Sequence, residues 1–299
     1  MIRSLRVLLG VLVSAGVLAT WGVRAAQAVS TPTPVDAPDS ISTVVRGINT
    51  AGQLVGFYLD KTQRPHGFLF AAGQFSTIDA PNATGTVAGG INDGGQIVGY
   101  LRDQAGAAHG YLFVSGRFTT FDAPGAVATY ADDIGADGRI VGTYDDRAKH
   151  SHGYLLEGGR FTSFDAPGAT NTFAYSINDG GQVAGYYEAG RAVHGFVYAA
   201  GQFTTIDVPG ATKTFAWGIN RASAIVGYYQ DTARGIHGFV RDASGRFTTV
   251  DVPGADQTSV YGISGDGRIV GAYVEKKTFH GWSMPFGNVN GLHARAAAR

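Results

Sequence analysis

Six histidines and six aspartates recur at matched intervals along this chain, and they are the first residues whose type and spacing could do chemistry. The histidines are His66, His109, His152, His194, His237 and His280, each followed by glycine. The aspartates are Asp36, Asp79, Asp122, Asp165, Asp207 and Asp251, each heading an Asp-x-Pro triplet. Imidazole and carboxylate are metal ligands, so the pattern invites a metal reading. A metal, however, needs a few ligands converging at about 2.0–2.1 Å. Copies in separate repeats converge only if they point into one narrow axis, and a histidine opening a third strand lies away from such an axis. The structural reading is therefore preferred: each His, and each Asp beside its Pro turn, hydrogen-bonds backbone within or between repeats. Neither a metal nor a cofactor is expected.

If recurrence serves structure, departures from it are where function can sit. The isoleucines of the "GIN"-like segments are Ile48, Ile91, Ile134, Ile177, Ile219 and Ile263. Two residues ahead of them stand Arg46, Gly89, Asp132, Tyr175, Trp217 and Tyr261. Three consecutive copies carry aromatic rings, and the others carry a cation, no side chain and an acid. Asp133 also stands where other copies have Gly or Ser. Aromatic faces beside polar groups stack on sugar rings, so Arg46, Asp132, Asp133, Tyr175, Trp217 and Tyr261 are the candidate ligand-binding residues. The competing reading is that the rings simply pack inside the fold. On the ligand reading, Trp217→Ala weakens carbohydrate binding while folding survives.

The elements that must position these residues follow from the repeat. A fourth landmark, the Gly of "IVG", falls at Gly56, Gly99, Gly142, Gly185, Gly227 and Gly271, and successive members of every set lie 42 to 44 residues apart. A period of that size decides the architecture. Within residues 129–169, "TYADDIG", "RIVGTY", "HGYLL" and "RFTSFD" read as four strands separated by "ADG", a polar loop and "EGG". Glycine takes positive φ in such turns without strain. The repeat therefore predicts an all-β fold: a six-bladed β-propeller with four-stranded antiparallel blades. An open array of the same blades is the alternative. In the recurring "FTTFDAPGA" phrase, the outermost strand ends, Pro stops the ladder, and Pro-Gly turns toward the next blade. Inner strands then border a central channel. Adjacent residues of a strand point to opposite faces, so Asp132 and Asp133 are not expected to work as a carboxylate pair.

The last unit lacks this phrase, and the first has only its end, "VDAPDS" at 35–40. Residues 31–36 are expected to supply the outer strand of the last blade and close the ring, with Pro32 and Pro34 tolerated at an edge. Residues 288–293 are the competing source of that strand.

The units "GIN..GQIVGYY" and "HGFLF..G.FTTIDAPGA" resemble the HAF repeat family of bacterial extracellular proteins over about residues 35–287. That resemblance implies a secreted or surface repeat protein with a propeller-like fold, and brings no established activity. Some relatives carry a C-terminal sorting anchor. The end of this chain, GLHARAAAR, has no apolar tail, so anchoring there is not expected.

Composition agrees with an exported protein. Residues 1–28 have a basic start at Arg3 and Arg6, an apolar run, and Ala26-Gln27-Ala28, which together read as a signal peptide. A retained anchor is the alternative, but the run is short for a span. The propeller is assigned to 29–287 and a tail to 288–299. There is no cysteine, so the core alone must hold the fold. Without Arg3, Arg6 and Arg24 the chain carries 20 basic and 23 acidic residues. That balance argues against a nucleic-acid partner. A Gly-x-Ser-x-Gly elbow, a His-Glu-x-x-His pair and phosphate loops are absent, and "INDGGQIVG" lacks the Ser and Trp of a sialidase-type Asp-box. The expectation is a secreted or periplasmic, monomeric, non-enzymatic binding or scaffold module. Its partner would be an extracellular polysaccharide or a surface protein. Three alternatives stay open: a glycan hydrolase or lyase at the channel mouth with Asp132 and Asp133 as first suspects, a purely structural role, and a bound cation.

Overall fold

A computed structural model describes residues 31–286; the signal peptide and the tail assigned above lie outside the described residues. Six four-stranded antiparallel sheets follow one another along the chain. The innermost strands are Ser42–Ile48, Gly85–Ile91, Ala128–Ile134, Asn171–Ile177, Lys213–Ile219 and Gln257–Ile263. Five sheets then step outward in sequence order, the last takes its outermost strand from the N-terminus, and neighbouring sheets pack face to face around a common axis. The molecule is the six-bladed β-propeller that the 42-to-44-residue period predicts.

The N-terminal strand closes the ring. Thr33 and Pro34 pair with Ser283 and Trp282 of the last blade, and the Val35 amide donates to the Gly281 carbonyl at 2.8 Å. His280 Nδ1 then meets Asp36 Oδ2 at 2.9 Å across a sequence separation of 244 residues. The closing strand is two residues long, where residues 31–36 were expected. Pro32 and Pro34 cannot donate to a ladder, which limits it. The outer position of the last blade is thus taken; residues 288–293 lie outside the described residues.

Each crossing between blades is built from the same three parts. Pro-Gly or its equivalent forms the turn, with Gly125, Gly168, Gly210 and Gly254 at φ 75 to 84° and Asn82 and Asp39 tolerating the same region. The turn closes through an i to i+3 bond of 3.0–3.3 Å in all six copies. A buried threonine on the next innermost strand accepts from the amide inside Asp-x-Pro: Thr43, Thr86, Thr129, Thr172, Thr214 and Thr258, at 2.9–3.0 Å.

The core lies between blades. Phe68, Tyr111, Tyr154, Phe196, Phe239 and Trp282 occupy one register on the third strands and are fully buried. Tyr111 and Tyr154 donate their hydroxyls to strand carbonyls. Trp282 Nε1 has no acceptor among the described residues.

The recurring His and Asp prove to be partners of each other, which corrects the expected backbone role. Each His Nδ1 faces the Asp-x-Pro carboxylate that follows it on the ring at 2.8–3.1 Å. In four blades Nε2 also faces Asp60, Asp103, Asp146 or Asp231 from the loop between the second and third strands, at 3.3–3.5 Å. Sequence reading found the residues but not this pairing, because in five blades the partners lie 13 or 14 positions apart and meet only when the hairpin folds back, and in the sixth they lie 244 apart. The carboxylates sit on opposite ring nitrogens and do not converge, so the geometry is that of an ion pair and not of a ligand set.

Candidate functional site

One irregularity in each innermost strand decides the site. Pairing with the second strand skips one residue in every blade; in the third, Ala131 faces Gly142 and Asp133 faces Val141, which leaves Asp132 unpaired. The same skip occurs at Arg46, Gly89, Tyr175, Trp217 and Tyr261. The variable position noted in the sequence is therefore a β-bulge, repeated six times. A bulge re-aims side chains and breaks the alternation of faces. It also accounts for the glycine of "IVG": a Cβ on Gly142 would overlap the Tyr130 carbonyl oxygen that the bulge pushes toward it, and all six copies share this contact.

The five bulged side chains meet at the waist of the channel. Tyr175 and Trp217 stack with ring centroids 3.8 Å apart, and Tyr261 meets Trp217 edge-on at 4.8 Å. The Arg46 guanidinium lies 5.1 Å from the Trp217 ring centre and reaches Asp132 across the axis, Nη2 to Oδ1 at 3.4 Å. Arg46 and Asp132 are 86 residues apart in sequence. Burial works against the guanidinium's charge, but Asp132 and the surrounding tyrosines outweigh it and hold its pKa up. Burial pushes the Asp132 carboxyl up to about 7, with Arg46 opposing and Asp133 reinforcing the shift.

Asp133 has a different task. It accepts from Ser176 Oγ at 2.7 Å, from the Ile177 amide at 3.1 Å and from its own neighbour Ile134 at 2.9 Å, so it ties blade three to blade four. Burial raises its pKa to about 6 against those three bonds. The expectation that Asp132 and Asp133 face opposite sides needs correction: the bulge brings both to one cavity. They still do not form a working pair, because Asp133 is committed to three donors while Asp132 faces Arg46.

Two cavities flank the waist. The first, about 130 Å³, lies toward the turns between first and second strands and includes Asp133, Trp217 and Tyr261 in its wall. Around its rim, asparagine side chains stitch blade to blade: Asn49, Asn92, Asn178 and Asn220 each donate to the equivalent backbone carbonyl of the next blade at 3.0–3.2 Å. The second cavity, about 280 Å³, opens on the opposite side, at the loops between second and third strands. Tyr100, Tyr130, Phe173 and Tyr175 wall it, and Arg46, Asp132, Asp145, Thr143 and Ser151 supply its polar groups. We call it the axial basin.

The structure thus divides the six sequence candidates. Arg46, Asp132 and Tyr175 line both cavities, while Trp217, Tyr261 and Asp133 line only the smaller one. Trp217 is packed against Tyr175, Tyr261 and Arg46, so its removal must disturb the waist as well as any ligand. Sequence reading missed Tyr100, Tyr130, Asp145, Ser151 and Phe173. A signal existed in part: Tyr130 and Phe173 sit two residues before the bulge, and Tyr100 follows the "IVG" glycine. Asp145 lies at the edge of a variable loop, with nothing local to mark it.

No protein-family model matches the chain, and no curated protein matches it. Solved structures do resemble it in fold. A lectin of Aleuria aurantia, described as a six-bladed β-propeller with fucose recognition, aligns at 14% identity over 88% of this chain and 100% of its own, with a TM-score of 0.50. TolB from Acinetobacter baumannii aligns at 12% identity over 84% of this chain, TM-score 0.57; the alignment spans 65% of TolB. A putative gluconolactonase aligns at 13% identity over 87% of this chain and 93% of its own, TM-score 0.51. Identities this low carry the architecture, and one architecture here hosts several activities. Among the described residues, no helix is long and apolar enough to cross a membrane.

Proposed function

We propose that this protein is an exported, non-enzymatic glycan-binding module of the HAF repeat type, working outside the cytoplasm. The observation that carries the reading is the axial basin: four aromatic rings, Tyr100, Tyr130, Phe173 and Tyr175, around buried polar groups at the centre of a rigid ring of blades. Aromatic walls with a few convergent polar groups are the usual make-up of a small-ligand site. Rings present apolar faces to the C–H faces of a sugar, and carboxylate, hydroxyl and guanidinium groups bond its hydroxyls. The rings are held by packing, so little ordering accompanies binding. That a solved six-bladed neighbour is a lectin with fucose recognition supports the same class of ligand.

One observation favours a second reading, a glycan hydrolase or lyase: two buried carboxyls with raised pKa reach one cavity. Against it, Asp133 accepts three internal bonds and is not free to act as acid or nucleophile, so the two carboxyls cannot work as a pair.

The test is incubation of protein lacking residues 1–28 with an array of bacterial and plant polysaccharides, reading retained protein and released oligosaccharide separately. Retention without products, abolished by Phe173→Ala, is expected. Released products establish the enzyme reading instead. No retention on any glycan overturns both and leaves a protein partner or a structural role.

A further inference from the structure

We infer that the axial basin recognises a cationic group, and that the glycan bound there carries free amino groups: an amino-sugar polymer not fully N-acetylated. This rests on the glycan-binding reading above and specifies its ligand.

The argument starts from Asp132. Its side chain is 6% exposed, its Oδ1 makes one long contact of 3.4 Å to Arg46, and its Oδ2 has no hydrogen-bond partner among the described residues. A buried carboxylate so poorly served is costly. Asp145 repeats the pattern nearer the mouth, where Oδ1 accepts from Ser151 Oγ at 2.7 Å and Oδ2 has no hydrogen-bond partner among the described residues. Two carboxylate oxygens without donors therefore open on the same 280 Å³ space.

Charge decides among ligand classes. Among the described residues Arg46 is the one cation in the basin wall, against Asp132 and Asp145, and Arg102 stands just behind the wall on Tyr100 and Tyr130. An acidic sugar would bring further carboxylates to carboxylate oxygens that already lack donors. A neutral sugar could donate hydroxyls, yet without the charge assistance that strengthens a bond to a carboxylate. An ammonium brings three donors and a positive charge to oxygens that lack both. The walls favour the same choice, because aromatic faces attract cations. The protein already uses them so: Arg46 lies over Trp217, and Arg102 lies 5.8 Å from the centre of the Tyr100 ring. Arg102 is anchored through Nη1 to the Gly106 carbonyl at 3.1 Å, outside the basin wall, and also engages the Tyr130 hydroxyl, which leaves the Phe173 and Tyr175 faces to a ligand. At about 280 Å³ the basin lies just below the usual range of ligand-site volumes, which suits one sugar residue of a longer chain.

The experiment is calorimetric titration of the protein lacking residues 1–28 with three oligosaccharides of equal length: a β-1,4-glucosamine hexamer, its fully N-acetylated counterpart and a cellulose hexamer, with oligogalacturonate as the acidic control. The glucosamine hexamer is expected to bind about tenfold or more tighter than the other three, an advantage that added salt reduces. Asp145→Asn, at a half-buried position, should cut that advantage severalfold, and Asp132→Asn should remove it. If Asp132→Asn fails to fold, Asp145→Asn still decides. Equal or tighter binding of the N-acetylated or neutral hexamer overturns the inference and leaves the glycan reading standing. Preference for oligogalacturonate overturns it too. If none of these binds and the polysaccharide array retains nothing, both readings fall together.

Discussion

Trp217→Ala is the substitution that most directly tests how the channel waist is built. The indole stacks on Tyr175 at 3.8 Å, meets Tyr261 edge-on at 4.8 Å and carries the Arg46 guanidinium at 5.1 Å. Truncating a core tryptophan costs about 3–5 kcal/mol through lost transfer energy and the cavity left behind. Trp217 is half-buried, which lowers that figure. Aromatic pairing and the cation–π contact add about 0.5–1.5 kcal/mol and 0.5–1 kcal/mol at most. A net loss near 3 kcal/mol follows. For a ring of this size, about 2–4 °C of Tm per kcal/mol gives a drop of roughly 6–12 °C. Differential scanning calorimetry and urea unfolding on the same samples measure it. A loss below about 1 kcal/mol, with Tm within about 2 °C, would refute a packed waist and return Trp217 to the role of a free ligand-stacking ring.

Trp282→Phe should behave in the opposite way. The change leaves a small cavity but removes a buried Nε1 with no acceptor, a term of about 1–3 kcal/mol, and Phe68, Phe196 and Phe239 fill the same register elsewhere. Stability within about 1 kcal/mol of the parent is expected in urea unfolding, and a loss above about 2 kcal/mol would show that the indole fits better than its missing bond implies. Thr172→Val deprives the buried Ala166 amide of its acceptor at 3.0 Å and should cost about 1–3 kcal/mol, whereas exposed Thr204→Val should cost little. Equal effects would mean that the crossing does not depend on its threonine. The His–Asp contacts should be pH-sensitive. His152 is raised despite partial burial because Asp165 and Asp146 favour its charge, and Asp146 is lowered, chiefly by the His150 amide and also by His152. A raised His stabilises fully below its unfolded value of about 6.5 and loses that contribution as pH climbs through its folded value; a lowered Asp stabilises above about 3.9 and loses it as pH falls through its folded value. The urea midpoint gap between parent and His152→Gln should therefore be widest between about pH 4 and 6.5 and shrink by pH 9. A gap that widens with alkali would contradict the charged pairing. Finally, binding of a quaternary ammonium form of the glucosamine hexamer, whose charge does not change with pH, should strengthen as pH rises through about 7, where Asp132 ionises. Arg46, Asp133, Asp145, Tyr100, Tyr130, Tyr154, Tyr175 and Tyr186 are the charged and titratable groups around it, and burial raises Tyr130, Tyr154, Tyr175 and Tyr186 above the usual phenol range. Affinity that falls over the same interval would place the recognition elsewhere.

Much of this molecule is written along the chain. Period, strand order, turn chemistry and the missing outer strand of the last unit are local or repeated facts, and hydrogen-bonded hairpins of fixed length reproduce them in space. The variable position at Arg46, Gly89, Asp132, Tyr175, Trp217 and Tyr261 was legible for the same reason, since six copies can be laid over one another. The tertiary structure alone decided what that position does. A bulge adds one unpaired residue without changing the repeat length, so strict alternation assigned Asp132 and Asp133 to opposite faces when they share a cavity. Arg46 finds Asp132 only when the blades curl around the axis. Tyr100, Tyr130 and Phe173 become a wall only when three blades stand side by side. Local pairing depends on neighbours in sequence. A site on the axis depends on the sum of six rotations, and no single repeat contains that sum.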